Sequence, residues 1–356
     1  MNTWGNKLKV SIFGESHGNA IGITLDGIPS GISLDMDFIH SEMQRRAPGR
    51  DNLSTPRKEA DEVEILSGVF DGKTTGTPIC GIIRNTNTRS NDYNKSLLRP
   101  GHADFTGFQK YGESHDFRGG GHFSGRITAP LVFAGAIAKQ VLAQDGIIIG
   151  SHIKKIHNIC EDSFMDCPEL SAQLLNTIRQ KNFPVISDLA GGEMKKAILD
   201  AANAKDSVGG IVECAVLGIK PGFGSPFFAS VESVISSMMF SIPAVKGIEF
   251  GKGFDFADLL GSQANDPFVT DGKEIFTKTN NNGGINGGIT NGMPIIFSVA
   301  IKPTPSIAKQ QDTVDIEKME NTKMEIKGRH DPCIVQRAAV VVECAAALSI
   351  LECKLI

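Results

Sequence analysis

The sequence has little of several features that mark common classes of protein. Its seven cysteines are odd in number and include no CxxC spacing, so neither a disulfide framework nor a zinc site is indicated. Lysines and arginines number 36 against 40 acidic residues, whereas a general nucleic-acid-binding protein needs a basic excess. Any phosphate chemistry here must therefore use locally concentrated positive charge.

Signals for export and for membrane insertion are also lacking. The start, MNTWGN, has no basic residue followed by an apolar stretch, so no signal peptide is predicted. The most apolar long segment, residues 334–351, contains Gln336, Arg337 and Glu343 and is too polar to cross a bilayer. We expect a buried helix there, a cytoplasmic location, and neither membrane nor nucleic acid as a partner.

Glycine, by contrast, is abundant, with 39 in 356 residues against a usual share of roughly 7%. No long linker rich in serine, glycine or proline divides the chain, so the sequence predicts one α+β domain over residues 1–356. Hydrophobic patterning predicts strands at 8–13, 20–25, 62–66, 79–83, 210–216 and 294–301. It predicts helices at 37–46, 127–144, 171–180, 193–204, 230–240 and 334–351.

Two glycine clusters stand out, GGGHFSG at 119–125 and GGINGG at 283–288. Neither continues into the Lys-Ser/Thr of a P-loop, and neither fits a GxGxxG turn in a βαβ unit, so no nucleotide fingerprint is present. The first cluster opens onto the helix predicted near Ile127. Backbone N–H groups at such a helix start can bind an anion.

Four of the eight histidines lie in loops beside glycine: His17 in GESHG, His102 in RPGHAD, His122 in GGGHFSG and His330 in KGRHDP. A loop presents an imidazole at an edge, whereas a histidine on an apolar helix face usually serves packing. One such histidine alone would favour a structural role, but the repeated setting favours a functional site. No metal site is predicted, because no HExxH or comparable spacing occurs.

Arginines gather in or beside the same loops and helix ends. Guanidinium groups match carboxylates and phosphates, so a substrate with several negative charges would explain the pattern. The alternative is pairing with the acidic residues, and for Arg45, Arg50 and Arg118 the sequence does not decide. The arginines are Arg45, Arg46, Arg50, Arg57, Arg99, Arg118, Arg126, Arg329 and Arg337.

Asp331, between His330 and Pro332, is the candidate carboxylate. Its structural alternative is the N-cap of the following helix, with Pro332 at the first helical position. Both roles can coexist, because a cap residue also faces a site at a helix N-terminus.

The whole chain, from about Trp4 to about Leu351, resembles the chorismate synthase family. The segments that carry the resemblance are FGESHG, RRAPGR, RPGHADFTGFQKYG, DFRGGGHFSGRITA, SIPAVKGIEFGKGF, NNGGINGGITNG, IKPTPSI and KGRHDPC. It implies a lyase that converts 5-enolpyruvylshikimate 3-phosphate to chorismate and phosphate by an anti 1,4-elimination, the last step of the shikimate pathway. It also implies reduced FMN as cofactor, a homotetramer, and helices sandwiched between antiparallel sheets.

The resemblance assigns roles to individual residues. His17 would offset or protonate the leaving phosphate, His102 would protonate the reduced flavin, and Asp331 would act with flavin N5 in removing the C6 proton. The implied substrate-binding residues are Arg46, Arg50, Arg57, Arg99, Arg126, Arg329 and Arg337. The implied flavin-binding residues are His122, Phe123, Ser124, Pro243, Ala244, Gly287, Lys302, Pro303, Thr304, Pro305, Ser306 and Arg329.

The chain departs from the commonest family pattern in two places. Many members have GGGRSSARET where this chain has GGGHFSGRIT, so His122, Phe123 and Ile127 replace arginine, serine and glutamate. His122 can still reach a phosphate if protonated, whereas at Phe123 only the backbone can serve. The second departure is Asn52, where an arginine is common; either Arg50 or Arg57 could replace it.

Three functional alternatives follow. Some fungal relatives reduce their flavin with NADPH, but the missing dinucleotide fingerprint predicts an external source of reduced flavin here. A non-catalytic flavin- or anion-binding protein is disfavoured by the joint presence of His17, His102 and Asp331. A metal-dependent phosphohydrolase would use the same histidines and arginines, but it would lose activity with a chelator and need no flavin.

Overall fold

The computed structural model describes residues 1–49, 53, 61–86, 94–326 and 331–356. Five positions discussed above lie outside these described residues: Arg50, Asn52, Arg57, Arg329 and His330.

The N-terminal strands form an antiparallel sheet. They are β1 (Thr3–Trp4), β2 (Lys9–Gly14), β3 (Ala20–Asp26), β4 (Glu64–Ser67), β5 (Val69–Phe70), β6 (Lys73–Thr74) and β7 (Ile79–Arg84). Five of them are ordered β1-β2-β3-β7-β4, while β5 and β6 form a separate ribbon. Ile21, Ile23 and Leu25 are fully buried. Because alternate residues of a strand share one face, these three side chains fix which side of β3 meets the core.

A second antiparallel sheet is built from later strands, ordered β11-β16-β10-β8-β9. The strands after β7 are β8 (Ile148–Ile156), β9 (Ile159–Cys160), β10 (Gly210–Leu217), β11 (Val245–Phe250), β12 (Phe268–Thr270), β13 (Ile275–Thr277), β14 (Ile285–Asn286), β15 (Ile289–Thr290), β16 (Ile295–Ile301), β17 (Gln311–Asp315) and β18 (Glu320–Met324). Cys214 and Val216 of β10 face the main core, whereas Ala215 faces a smaller apolar cluster with Leu175 and Ile178. The second sheet is therefore covered on both faces.

Helices fill the space between the two sheets and also cover the other face of the second sheet, where the helix Ala172–Gln180 packs. They are α1 (Met36–Arg46), α2 (Asp104–Tyr111), α3 (Thr128–Ala143), α4 (Ala172–Gln180), α5 (Asp188–Asn203), α6 (Val231–Met239), α7 (Gly261–Ala264) and α8 (Val335–Leu355). Helix α3 contacts α8 and strands β3 and β7, and α8 contacts β8 and β10. Nearly every side chain of α3 and α8 is buried. The α+β prediction, with helices between antiparallel sheets, is confirmed.

One helical stretch of the described residues, Gly125–Ala143, is long and apolar enough to cross a membrane by length and composition alone. It is also 89% buried inside the protein, where α1, α8 and the first sheet surround it. Its apolarity is therefore what packing between two layers requires.

The helix layer also encloses an ionic network. Arg45 pairs with Glu42 at 2.9 Å and with Glu343 at 2.6 Å, and Lys139 pairs with the same two glutamates at 2.6 and 2.5 Å. Burial opposes ionisation of Glu343, but Arg45 and Lys139 outweigh it and lower the pKa of that carboxyl. For Arg45, the alternative of pairing with acidic residues is thus confirmed.

Candidate functional site

The FGESHG turn packs against the triglycine loop. Where β2 ends, the Ser16 backbone N–H donates to the Gly121 carbonyl at 3.1 Å and the Ser16 hydroxyl donates to the Arg118 carbonyl at 3.3 Å. His122 Nδ1 lies 2.8 Å from the Gly14 carbonyl oxygen. Three bonds therefore hold the turn that presents His17 against residues 118–122.

Two glycines of that loop, Gly119 and Gly120, are in close contact with the rings of His17 and His102. Gly119 has φ of 62°, and a Cβ there would overlap the His17 ring. Gly120 has φ of 98°, and a Cβ there would lie 3.3 Å from His102 Nε2. Both positions combine a left-handed backbone with close contact, so glycine is the residue that fits. Because Gly119 and Gly120 are consecutive, the loop places the His17 and His102 rings close to each other.

His102 is oriented by a carboxylate from its own motif. Its Nδ1 lies 2.7 Å from Asp104 Oδ1, and Arg99 contacts the same carboxylate at 2.8 Å through Nε and 2.6 Å through Nη2. Burial alone would raise the pKa of Asp104, but the hydrogen bonds from His102 and Arg99 outweigh it, and the pKa falls well below its usual range. The ionised Asp104 carboxylate accepts a hydrogen bond from the Nδ1–H of His102, which leaves Nε2 facing Gly120.

The KPTPS loop lies beside His102. Lys302 Nζ donates to the Gly101 carbonyl, and a Cβ on Gly101 would lie 3.4 Å from Pro305. The Lys302 backbone N–H donates to the Ala244 carbonyl at 3.0 Å. The predicted flavin-binding segments 243–244 and 302–306 are therefore neighbours of each other and of the residue before His102.

Asp331 is joined to the KPTPS loop through a third segment. The Val208 N–H donates to the Pro332 carbonyl at 2.9 Å, and Ser207 Oγ donates to the Thr304 carbonyl at 2.7 Å. Asp331 Oδ2 itself lies 3.5 Å from Arg337 Nη1. A chain of contacts thus runs from Asp331 past residues 207–208 and 302–305 to His102.

The prediction that Asp331 caps the last helix is wrong. Helix α8 begins at Val335, the cap position belongs to Ile334, and no side chain caps the helix start. Pro332 accordingly lies before the helix and not at its first position. Asp331 is held by Arg337 on the first turn of the helix, which leaves its carboxylate on a loop.

Arg46 and Arg126 meet on one buried carboxylate. Asp61 Oδ2 lies 2.5 Å from Arg46 Nη1, and Asp61 Oδ1 lies 2.5 Å from Arg126 Nη1. Arg46 also donates to Thr128 Oγ1 at 3.3 Å, and Arg126 donates to Asn85 Oδ1 at 2.8 Å. Two of the predicted substrate-binding arginines are therefore brought together.

His122 and Phe123, which replace the arginine and serine common in the family, make contacts of their own. The Phe123 ring packs 6.3 Å from that of Tyr111 and 5.7 Å from that of His115, so its side chain serves an aromatic cluster. Ser124 Oγ accepts from the Arg126 N–H at 3.3 Å and starts the turn before α3. Arg118, whose role the sequence left open, pairs with Asp116 at 2.8 Å.

Gly287 is the predicted site residue that the described contacts do not bring to the others. Its neighbour Gly288 lies against Ser230 at the start of α6, and the Gly288 carbonyl accepts from Val231. Residues 243–244 follow the opposite end of that helix. A helix of nine residues is about 14 Å long, so the two ends of α6 that these segments adjoin lie about that far apart.

The prediction of site residues missed the polar partners of the cations. Asp61 and Asn85 contact arginines that are distant in sequence, which spacing alone could not identify. Asp104 lies within the quoted RPGHAD motif, two residues after its partner His102. A cavity of about 380 Å³ lies against Arg99 and Asp104, lined on its other side by apolar residues such as Leu98 and Phe108.

Comparison with known proteins identifies the family. The family model described as chorismate synthase matches residues 8–355. The chain is 44% identical over 370 residues to a chorismate synthase of Dehalococcoides mccartyi, covering 99% of this chain and 96% of that protein. It is 45% identical over 362 residues to the chorismate synthase of Methanocaldococcus jannaschii, with the same coverage.

A solved structure agrees with this assignment. A crystal structure of chorismate synthase superposes with a TM-score of 0.78 at 31% identity, covering 99% of this chain and 93% of that one. Family model, relatives and fold coincide over nearly the full length. The chain belongs to the chorismate synthase family.

Proposed function

We propose that the site formed by His17, His102 and the triglycine loop eliminates phosphate from 5-enolpyruvylshikimate 3-phosphate to give chorismate, with reduced FMN bound. The observation that carries the proposal is the contact of two loop imidazoles with adjacent glycines, since neither packs in an apolar core. Family membership gives the coarser statement, a lyase of the shikimate pathway.

His17 is the proposed acid at the leaving group. Departure of phosphate leaves negative charge on an oxygen, and a protonated imidazole offsets that charge or donates to it. Ser16 and the triglycine loop fix the turn that carries the ring, so the proton is held at a defined position.

The arginines are the proposed anchors of the substrate. The molecule carries two carboxylates and one phosphate, and guanidinium groups bind such anions through paired N–H donors. Arg46 and Arg126 form one group of donors around Asp61, and Arg99 forms another with His102 around Asp104. Arg337, paired with Asp331, is a further proposed contact, as are Arg50, Arg57 and Arg329, which lie outside the described residues.

The surroundings of Lys302 favour binding of the FMN phosphate. Burial first, and then repulsion from Lys246, lowers the pKa of Lys302. An anion such as the flavin phosphate would relieve that repulsion. Lys302, with Pro303, Thr304, Pro305 and Ser306, is therefore the proposed holder, together with residues 122–124, Pro243, Ala244 and Gly287. When bound, reduced FMN supplies electron density transiently to the substrate.

His102 and Asp331 are the remaining proposed proton carriers. Asp104 fixes the Nδ1 proton of His102, so the imidazole can hold or release a proton at Nε2. Asp331 carries a carboxylate on the loop before α8, and we propose that it takes part in removing the substrate C6 proton. Removing one catalytic proton carrier typically costs on the order of 10²–10⁴ in rate.

Assembly, reductant and location complete the proposal. We propose one domain over residues 1–356 in a cytoplasmic homotetramer whose reduced flavin comes from an external source. The exposed Phe227, Phe228 and Phe268 offer apolar surface for contacts between copies. Anaerobic turnover with NADPH alone, without a reductase or chemical reductant, would contradict the external source.

The deciding experiment is anaerobic incubation of 5-enolpyruvylshikimate 3-phosphate with the protein, with and without chemically reduced FMN. We expect release of phosphate and chorismate only when reduced FMN is present, and the same rate with a chelator. Phosphate release without flavin, abolished by the chelator, would instead support a metal-dependent phosphohydrolase. Flavin binding without any product would support the non-catalytic alternative.

A further inference from the structure

We propose that Asp61 is a positioning residue for the substrate: it holds Arg46 and Arg126 side by side as one anion-binding unit. The inference rests on the proposed function, because it takes the substrate to be a polyanion. It is carried by the geometry of a single carboxylate that gives one oxygen to each guanidinium, both at 2.5 Å.

The two arginines come from separate parts of the fold. Arg46 is the last residue of α1, and Arg126 lies in the turn just before α3. Two adjacent cations repel each other, and the repulsion is strong where water is excluded. The side chain of Asp61 is fully buried, and those of Arg46 and Arg126 are only 3% and 4% exposed. A carboxylate between the guanidinium groups therefore sets both their separation and their orientation.

The charge on Asp61 is maintained by its partners. Burial would raise the pKa of this carboxyl, but the attraction of Arg46 and Arg126 outweighs burial and lowers the pKa. The three side chains together then carry two positive charges and one negative charge. An ionised Asp61 thus keeps both guanidinium groups aligned, and charged N–H donors in a fixed geometry are what an anionic ligand requires.

The backbone of Asp61 supports the same conclusion. Its φ is 51°, in the left-handed region that residues other than glycine seldom occupy. Such strain persists only where surrounding contacts impose it, and it concentrates at functional sites. At Asp61 this conformation coincides with the contacts to the two arginines.

Further bonds fix how Arg46 uses its donors. Nε donates to Thr128 Oγ1 at 3.3 Å and Nη2 donates to the Gly125 carbonyl at 3.2 Å, while Nη1 serves Asp61. A guanidinium has five N–H donors. Three of those of Arg46 are used in these hydrogen bonds, which leaves two N–H donors for a ligand. Losing Asp61 would release the one contact that Arg46 shares with Arg126.

The test compares Asp61→Asn with a matched control. Asparagine keeps the shape of the side chain, but its amide presents N–H donors to one guanidinium and removes the negative charge. We expect the KM for 5-enolpyruvylshikimate 3-phosphate to rise about tenfold or more, with a smaller change in kcat. The control is Glu213→Gln, which alters an equally buried carboxylate paired with His152 and Lys154 outside the site. We expect it to lower stability and leave KM unchanged.

The outcomes separate this inference from the proposed function. If the unmodified protein fails to turn over the substrate with reduced FMN, the proposed function falls. If it turns over and Asp61→Asn shows the KM of the unmodified protein, the positioning role is overturned. Should Asp61→Asn not fold, Thr128→Val removes the Nε acceptor of Arg46, together with the hydroxyl that donates to the Gly125 carbonyl. A KM raised about threefold would support the arrangement, and an unchanged KM would overturn it.

Discussion

Replacing Gly119 by alanine separates backbone strain from displacement of a candidate catalytic ring. Gly119 has φ of 62°, and a Cβ would overlap the His17 ring and lie 2.9 Å from Ser16 Oγ. Gly72, in the turn between β5 and β6, also has a positive φ, of 71°, but a Cβ there would meet nothing within 4 Å. Both alanine variants therefore place a Cβ on a backbone with positive φ, and only one of them pushes on His17.

The expected magnitudes follow from this comparison. A left-handed conformation costs a residue with a Cβ roughly 1–2 kcal/mol, so both variants should unfold more readily by about that amount. In Gly119→Ala the His17 ring must move away from the loop as well. If His17 protonates the leaving group, its displacement should reduce kcat by on the order of 10²-fold or more, as for loss of a general acid. Gly72→Ala should keep kcat.

Stability would be measured by urea denaturation and turnover by anaerobic phosphate release with chemically reduced FMN. Comparing the two variants at equal folded fraction removes the shared conformational cost. Equal kcat in Gly119→Ala and Gly72→Ala would refute the reasoning, because His17 would then tolerate movement that a positioned proton donor does not.

Three further predictions concern single side chains. His17→Ala should fold normally and turn over at least about a hundredfold more slowly in the same assay. Burial opposes ionisation of Glu213, but the hydrogen bond from His152 and the charge of Lys154 outweigh it and lower its pKa from 4.5 to about 2. The stability that this carboxylate adds is therefore present above pH 4.5 and is lost as the pH falls toward 2. At neutral pH the unfolding free energy of Glu213→Gln should be about 3 kcal/mol below that of the unmodified protein. This difference should shrink as the pH falls from 4.5 toward 2. Lys302→Met should weaken binding of oxidised FMN, followed by flavin fluorescence, by about tenfold, whereas Lys273→Met on an exposed turn should leave it unchanged.

The elements with regular apolar patterning could be predicted from the sequence. All six predicted helices and all six predicted strands occur, with ends shifted by up to a few residues, as α1 (predicted 37–46) and β10 (predicted 210–216) illustrate. Strand β8 was not among them, because both of its faces are buried and Ser151 on one face and His152 on the other stand in place of apolar residues. Ser151 bonds to Glu343, and His152 lies between two glutamates, so each polar group is satisfied by a partner distant in sequence.

Contacts between residues distant in sequence also explain which site residues could be predicted and which could not. Loop histidines stand out beside glycines, so His17 and His102 could be singled out. Asp61 lies in the run EADEVEI, where several acids look alike, and only the fold shows which one is buried between two arginines. Pairing between distant side chains has no local sequence signature, so carboxylates that organise cations are the residues least accessible to such reasoning.

Two buried clusters of this fold differ in which cations their carboxylates hold. Around Glu213, hydrogen bonds from His152 to Glu161 and Glu213 outweigh the burial of His152 and raise its pKa, so two carboxylates face two cations. Around Asp61, one carboxylate is shared by two arginines from separate elements of the fold. Loss of Asp61 should therefore move both arginines, whereas loss of Glu213 should leave them in place, and the comparison of KM between the two variants measures that difference.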